Sequence, residues 1–340
     1  PTTAALYARQ WHLRSIGAPA AWAAGRLGRG STKVGVLDTG LGYTHADIAG
    51  RIDFALSKSF VPSDDAFVAA FFPGAHPVAD LHYHGTHVAA TISSSALAAA
   101  GVTSGLTLVG IKVCDVFGAC PTSSVLQGVL YAADQGLAVA NLSLAGSFQR
   151  AEASARGGTG PSFLATVNRV FSYADRQGTT VVVAAGNASI DMDHDGNGYN
   201  AYCSAPNVIC VSATGPAAAA GVNGPWIDVD AWASYSNYGT SSVSVAAPGG
   251  TSAGPVWAAC STFSLQVPVC RTGTFVLGIG GTSMAAPHVS ALAALVSEDV
   301  GRSPALIRAR LAQSSDDLGA PGADPAYGKG RINVRRALGL

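Results

Sequence analysis

Short apolar runs of strand length, separated by segments of helical character, constrain this chain more than any other feature. They cover residues 34–37, 108–113, 138–142, 181–185 and 208–211. Strands that read as continuous apolar runs are buried on both faces, as in a parallel sheet covered by helices. The helical candidates are residues 87–94, 123–135, 163–176 and 284–297, with Gly136 and Gly178 where helix-ending glycines are expected. The alternation predicts an α/β fold, a three-layer α/β/α sandwich around a mainly parallel, doubly wound sheet. Sheets of this kind bind ligands beyond the carboxyl ends of their strands. Asp38 and Asn187 each follow such a run, so the pattern sets both on one rim.

Composition supports one large core. The 340 residues are 48% hydrophobic and 12% charged, the reverse of a disordered chain. No linker or repeat divides residues 1–340, which read as one domain with surface insertions near 149–161, 189–202 and 251–274. The third insertion reads as a hairpin stapled at its base by cysteines. Twenty Lys and Arg balance twenty Asp and Glu, so no net field draws the chain to nucleic acid or an anionic membrane. A monomer is the default expectation. No apolar run reaches the roughly 18 residues of a membrane span. No basic-then-apolar segment opens the chain, and Pro1 therefore reads as a processed start.

The six cysteines fall into near neighbours: Cys114 with Cys120, Cys203 with Cys210, and Cys260 with Cys270. Three small-loop disulfides are expected from an even count at local spacing. Buried free thiols in a cytosolic enzyme are the alternative, and zinc is disfavoured by the lack of C-x-x-C spacing. Disulfides persist in oxidising compartments, which implies a secreted, extracellular or periplasmic protein.

Three stretches carry chemistry: Val36-Leu37-Asp38-Thr39-Gly40, His84-Gly85-Thr86-His87-Val88-Ala89-Ala90 and Gly281-Thr282-Ser283-Met284-Ala285-Ala286-Pro287-His288-Val289. A serine hydroxyl needs an imidazole to take its proton, and the imidazole needs a carboxylate to hold its tautomer. His82, His84 and His87 also raise the alternative of a metal site. Against it, H-E-x-x-H is absent and no glutamate stands nearby as a base. Ser283 is expected at the start of its helix, where unpaired N–H groups favour developing negative charge. Pro287 is expected in the first turn, where its missing N–H costs little.

These motifs, with Val181-Val182-Val183-Ala184-Ala185-Gly186-Asn187, closely resemble those of the subtilisin-like serine peptidases (subtilases). The chain order Asp, His, Ser is that family's known order, whereas α/β-hydrolases run Ser, Asp, His. Stretches near Trp11–Trp22 and Tyr327–Asn333 extend the resemblance over essentially the whole chain. It implies a secreted endopeptidase, cleaving polypeptides of broad sequence through an acyl-enzyme. It assigns Asp38, His84 and Ser283 as the triad and Asn187 as the oxyanion donor. Ser143, Leu144, Ala145 and Gly146, with Gly118, Ala119 and Cys120, would be the two edges that receive substrate as an added strand. Ala184, Ala185 and Gly186 would complete a first pocket suited to a sizeable apolar side chain. Two other classes stay open, a catalytically silent peptide-binding relative and a serine esterase on another fold.

A structural calcium is expected at Asp191, Asp193, Asp195 and Asn197, where carboxylates alternate ahead of Gly196 as in a calcium loop. A solvated acidic loop is the alternative. No organic cofactor is expected. Asp47 matches a calcium ligand of many subtilases, but its partner segment 95–102 has no Asn or Asp.

Overall fold

The computed structural model describes residues 1–149, 159–196 and 198–340. The expected insertion at 149–161 and the proposed ligand Asn197 lie wholly or largely outside the described residues. Seven strands form the central sheet: β1 (Lys33–Asp38), β2 (Lys58–Ser59), β3 (Thr107–Lys112), β4 (Val139–Leu142), β5 (Thr180–Ala184), β6 (Ile209–Thr214) and β7 (Val245–Pro248). Their order is β7-β6-β5-β4-β1-β3-β2, and every neighbouring pair is parallel. From β1 the chain lays β2 at the sheet edge and β3 between them, then crosses β1 to place β4 on the other side. The carboxyl ends of β1 and β4 therefore flank the point where the winding direction reverses, the place where doubly wound sheets open a crevice.

Alternation within the central strands feeds two cores. In β5, Val182 and Ala184 join the core on one face, while Val181 and Val183 join the core on the other. The first face is covered by α1 (His84–Ile92) and α4 (Thr282–Val300), the second by α2 (Thr122–Asp134) and α3 (Thr159–Arg176). Helix α4 is buried along most of its length. Each fully buried Val or Leu on it contributes about 1.5–3 kcal/mol, which fixes the serine at its start.

The helices start earlier than the sequence suggests, α3 at Thr159 rather than 163 and α2 at Thr122 rather than 123. Helix α1 begins at His84 rather than 87, and α4 at Thr282 rather than 284. Pro287 thus lies inside α4, beyond the first turn, and its missing N–H leaves the Ser283 carbonyl without a helical partner. That carbonyl accepts the Ser143 hydroxyl at 2.7 Å. The proline frees a bond that ties the helix start to the β4 segment.

The cysteines are bonded as Cys114–Cys120, Cys203–Cys210 and Cys260–Cys270. Val256–Ala259, inside the 251–274 region, pairs antiparallel with Val276–Ile279 just beyond it, and the third disulfide closes the loop between them.

Candidate active site

Asp38 ends β1 and is almost completely buried. Its Oδ1 accepts the Thr39 amide at 2.8 Å and the His84 Nδ1–H at 2.7 Å. His84 opens α1, which can come this close only because Gly85 follows. A Cβ on Gly85 would lie 2.3 Å from the Gly40 carbonyl oxygen. With Nδ1 bound to the carboxylate, Nε2 is the imidazole atom left to accept a proton.

Burial alone pushes the His84 pKa down. The charge and hydrogen bond of Asp38, joined by the charge of Asp80, outweigh it and hold the imidazole above its ordinary value. A base must be neutral to act, so the acid limb of kcat/KM is expected with its midpoint above about 6.5. A pH–rate profile checks this, and full activity at pH 5 would contradict it.

Ser283 is the second residue of α4. Its hydroxyl donates to the Ser143 carbonyl at 3.0 Å and not to His84. Such bonds are often loose in unliganded enzymes and form with substrate in place. Asn187 follows β5 across the cleft, and its Oδ1 accepts both the amide (2.9 Å) and the hydroxyl (2.8 Å) of Thr282. That orientation turns the Nδ2 amine toward Gly281, where a Cβ would come within 3.3 Å of it. Gly281 has φ +155°, a value glycine accepts readily. Thr282 also accepts the Gly186 amide at 3.0 Å. Its role in setting the asparagine is invisible in a motif scan, although it sits beside the serine. Asn187→Ala should lower kcat by about 10²–10³-fold with little change in KM. Unchanged steady-state turnover would contradict the geometry.

Ser143–Gly146 continues from β4, and Ala185 and Gly186 follow Ala184 at the end of β5, with the Ala145 methyl 3.4 Å from where a Gly186 Cβ would stand. The Ala185 carbonyl is held by Asn200 (2.7 Å) and Asn237 (2.9 Å), neither singled out from sequence. These asparagines also line a cavity of about 300 Å³ with Ser147, Phe148, Met192 and Asp195. Gly118, Ala119 and Cys120 form an accessible edge stapled by Cys114–Cys120. Asp115 accepts the amides of Phe117 and Ala119, both at 2.9 Å, and a Gly118 Cβ would lie 3.7 Å from His82 Nε2.

In the acidic loop, Asp191 and Asp193 bond to protein donors. Asp191 accepts from His194 Nδ1 and the Asp193 amide, both at 3.0 Å, and Asp193 accepts the amide and hydroxyl of Ser241. Among the described residues no group of three or more His, Cys, Asp or Glu side chains is placed to hold a metal. The Asp47 position does not fit a cation either. Its buried carboxylate receives the amides of Leu97 (2.9 Å), Ala98 (2.8 Å) and Ala99 (2.9 Å), so N–H groups occupy the space a cation would need. Melting of a Ser283→Ala protein should therefore be insensitive at this position to chelator or excess calcium. Asp47→Asn should lose about 1–3 kcal/mol in either solution. Calorimetry checks this; a calcium-dependent stabilisation abolished by Asp47→Asn would contradict it.

Fold and site together define a serine peptidase: an acid, a base and a serine in that order on the rim of a parallel α/β sheet. The subtilase family model matches residues 29–330, and the chain belongs to that family. Thermitase of Thermoactinomyces vulgaris is 31% identical over 338 residues, covering 97% of this chain and 96% of that one. Subtilisin Savinase of Lederbergia lenta is 31% identical, over 96% and 97%. Among solved structures, a lanthipeptide protease superposes with TM-score 0.79 at 21% identity, covering 98% and 96%. The nisin leader peptidase of Lactococcus lactis does so with TM-score 0.77 at 20% identity, covering 97% and 93%. These two likenesses speak for the fold. The chain is a subtilisin-like serine endopeptidase acting on polypeptides.

Proposed function

We propose that this chain is a secreted endopeptidase of broad specificity, acting through Asp38, His84 and Ser283 by way of an acyl-enzyme. The observation that carries the mechanism is the 2.7 Å bond from His84 Nδ1 to Asp38, which leaves Nε2 as the base. Substrate lies as an added strand between Ser143–Gly146 and Gly118–Cys120. Ser283 Oγ attacks the scissile carbonyl carbon as its proton passes to His84 Nε2. The tetrahedral oxyanion is received by Asn187 Nδ2 and the Ser283 N–H at the start of α4. His84 returns the proton to the departing amine, and water repeats the sequence to release the acyl group.

The cavity at Asn200 and Asn237 supports a sizeable side chain before the cleaved bond. Phe148, Ile190, Met192 and Tyr199 supply apolar lining, and Asp195, Asn200 and Asn237 supply a polar part. Three disulfides support secretion. The zero net charge gives nucleic acid and anionic membranes no long-range pull, and no helix among the described residues is long and apolar enough to cross a membrane. The reading is of a monomer. A structural calcium at Asp191, Asp193, Asp195 and Asn197 would compete with His194 for Asp191 and with Ser241 for Asp193.

Sequencing the fragments released from a denatured protein mixture tests specificity. Broad cutting with large apolar residues enriched before the bond is expected. Cutting at one fixed motif would replace it with a dedicated processing role.

A further inference from the structure

We propose that Asp80 is a positioning residue for the triad, its buried carboxylate fixing the proton direction of two threonine hydroxyls that clamp the Asp38 segment to the His84 segment. The inference rests on the triad reading above and extends it by one layer. Asp80 is fully buried. Its Oδ1 accepts the Thr39 hydroxyl at 2.8 Å and the His82 amide at 3.0 Å. Its Oδ2 accepts the Thr86 hydroxyl at 2.5 Å and the Thr86 amide at 3.0 Å.

A threonine hydroxyl has one proton and two lone pairs. Because Asp80 takes both protons, each hydroxyl oxygen is free to accept a backbone amide from the opposite segment. Thr39, beside Asp38, accepts the Gly85 amide at 2.9 Å, and Thr86, beside His84, accepts the Gly42 amide at 2.7 Å. The two bonds are reciprocal across the seam that the Asp38–His84 pair must bridge. Thr39 also gives its own amide to the Asp38 oxygen that binds His84.

Only an acceptor-only group satisfies this set. Each oxygen of Asp80 faces one backbone N–H, so an asparagine would set its NH₂ against a backbone amide in either orientation. Burial, with a smaller effect of Asp38, raises the Asp80 pKa, while the Thr86 hydroxyl, the Thr39 hydroxyl and the Thr86 amide oppose the rise; a carboxylate facing only donors fits the ionised form. Around His84, the negative groups are Asp38 and Asp80. The neighbouring His82 and His87 are pushed below their ordinary value by burial, and Lys112 is paired with Asp64 at 3.1 Å. Removing the Asp80 charge therefore moves the His84 pKa down, and with it the acid limb of activity.

Asp80→Asn tests this. In enzyme normalised by active-site titration, kcat should fall by about 10–10²-fold with KM held within about threefold, and the acid limb should move to lower pH. Thr39→Val and Thr86→Val keep the charge, so each should lower kcat and leave the limb in place. A folded Asp80→Asn with wild-type kcat and acid limb would overturn the proposal. If that variant does not fold, wild-type kcat in both threonine variants would overturn it equally. Imidazole ¹⁵N titration by NMR, in Ser283→Ala with and without Asp80→Asn, reads the His84 shift without any turnover. A chain that hydrolyses nothing would sink the peptidase reading, while this titration would still decide the role of Asp80.

Discussion

Ser283→Ala is expected to lower peptide hydrolysis by a factor on the order of 10⁶, the scale seen when a serine nucleophile is removed from a triad. The change deletes one oxygen from a residue whose main chain stays held by α4 and by the Ser143 hydroxyl on its carbonyl. The fold and substrate affinity should therefore survive. What is lost is the bond-forming atom, so His84 and Asp38 have nothing to activate. Residual catalysis from the oxyanion site and from binding should remain above the rate in water. Single-turnover kinetics on a peptide ester, beside circular dichroism, separates these effects. Ordinary turnover in the folded variant would remove the mechanism altogether.

Asp38→Asn is the second large effect, about 10⁴-fold in kcat. Oδ1 of Asp38 takes two N–H groups, from Thr39 and His84. An asparagine that keeps its oxygen there preserves both bonds but loses the charge that stabilises the imidazolium. Its NH₂ then occupies the buried Oδ2 position, which has no hydrogen-bond partner among the described residues. The opposite orientation sets an amine against Thr39 and drives His84 into the tautomer with a protonated Nε2, which cannot receive the serine proton. Either way the base is disabled. The direction of the pH effect also follows: Asp38 raises the His84 pKa, so the residual activity of the variant should have its acid limb at lower pH. A limb unmoved from wild type would mean that another group sets the profile.

The rim of the sheet was legible in the sequence because in a parallel sheet a strand end and a site coincide. Asp38 and Asn187 follow apolar runs that are β1 and β5, and no tertiary information is needed to put them on one edge. Strand β7 escaped notice because Val245–Pro248 is short and ends in proline. The start of α1 is hard to place from sequence because the side chain of its N-cap residue, Tyr83, bonds none of the first amides. The Gly85 amide is satisfied by Thr39 and the Thr86 amide by Asp80, partners that only the folded chain brings together. The same reason hides Asp80 and Thr282, whose work is done on other residues. In the acidic loop the spacing marks the carboxylates, while sequence does not show that Ser241 meets Asp193. At Asp47 the reading came nearer, since a segment of alanines without Asn or Asp leaves only backbone groups to meet the carboxylate.

Covalent labelling decides whether Ser283 is a nucleophile activated by its surroundings. The folded protein is treated with a fluorophosphonate, digested, and the modified peptide is sequenced by mass spectrometry. One adduct is expected, on Ser283, lost when the protein is denatured first and strongly slowed in Asp38→Asn. An adduct on another serine, or no adduct on a folded protein that still cleaves peptides, would contradict it.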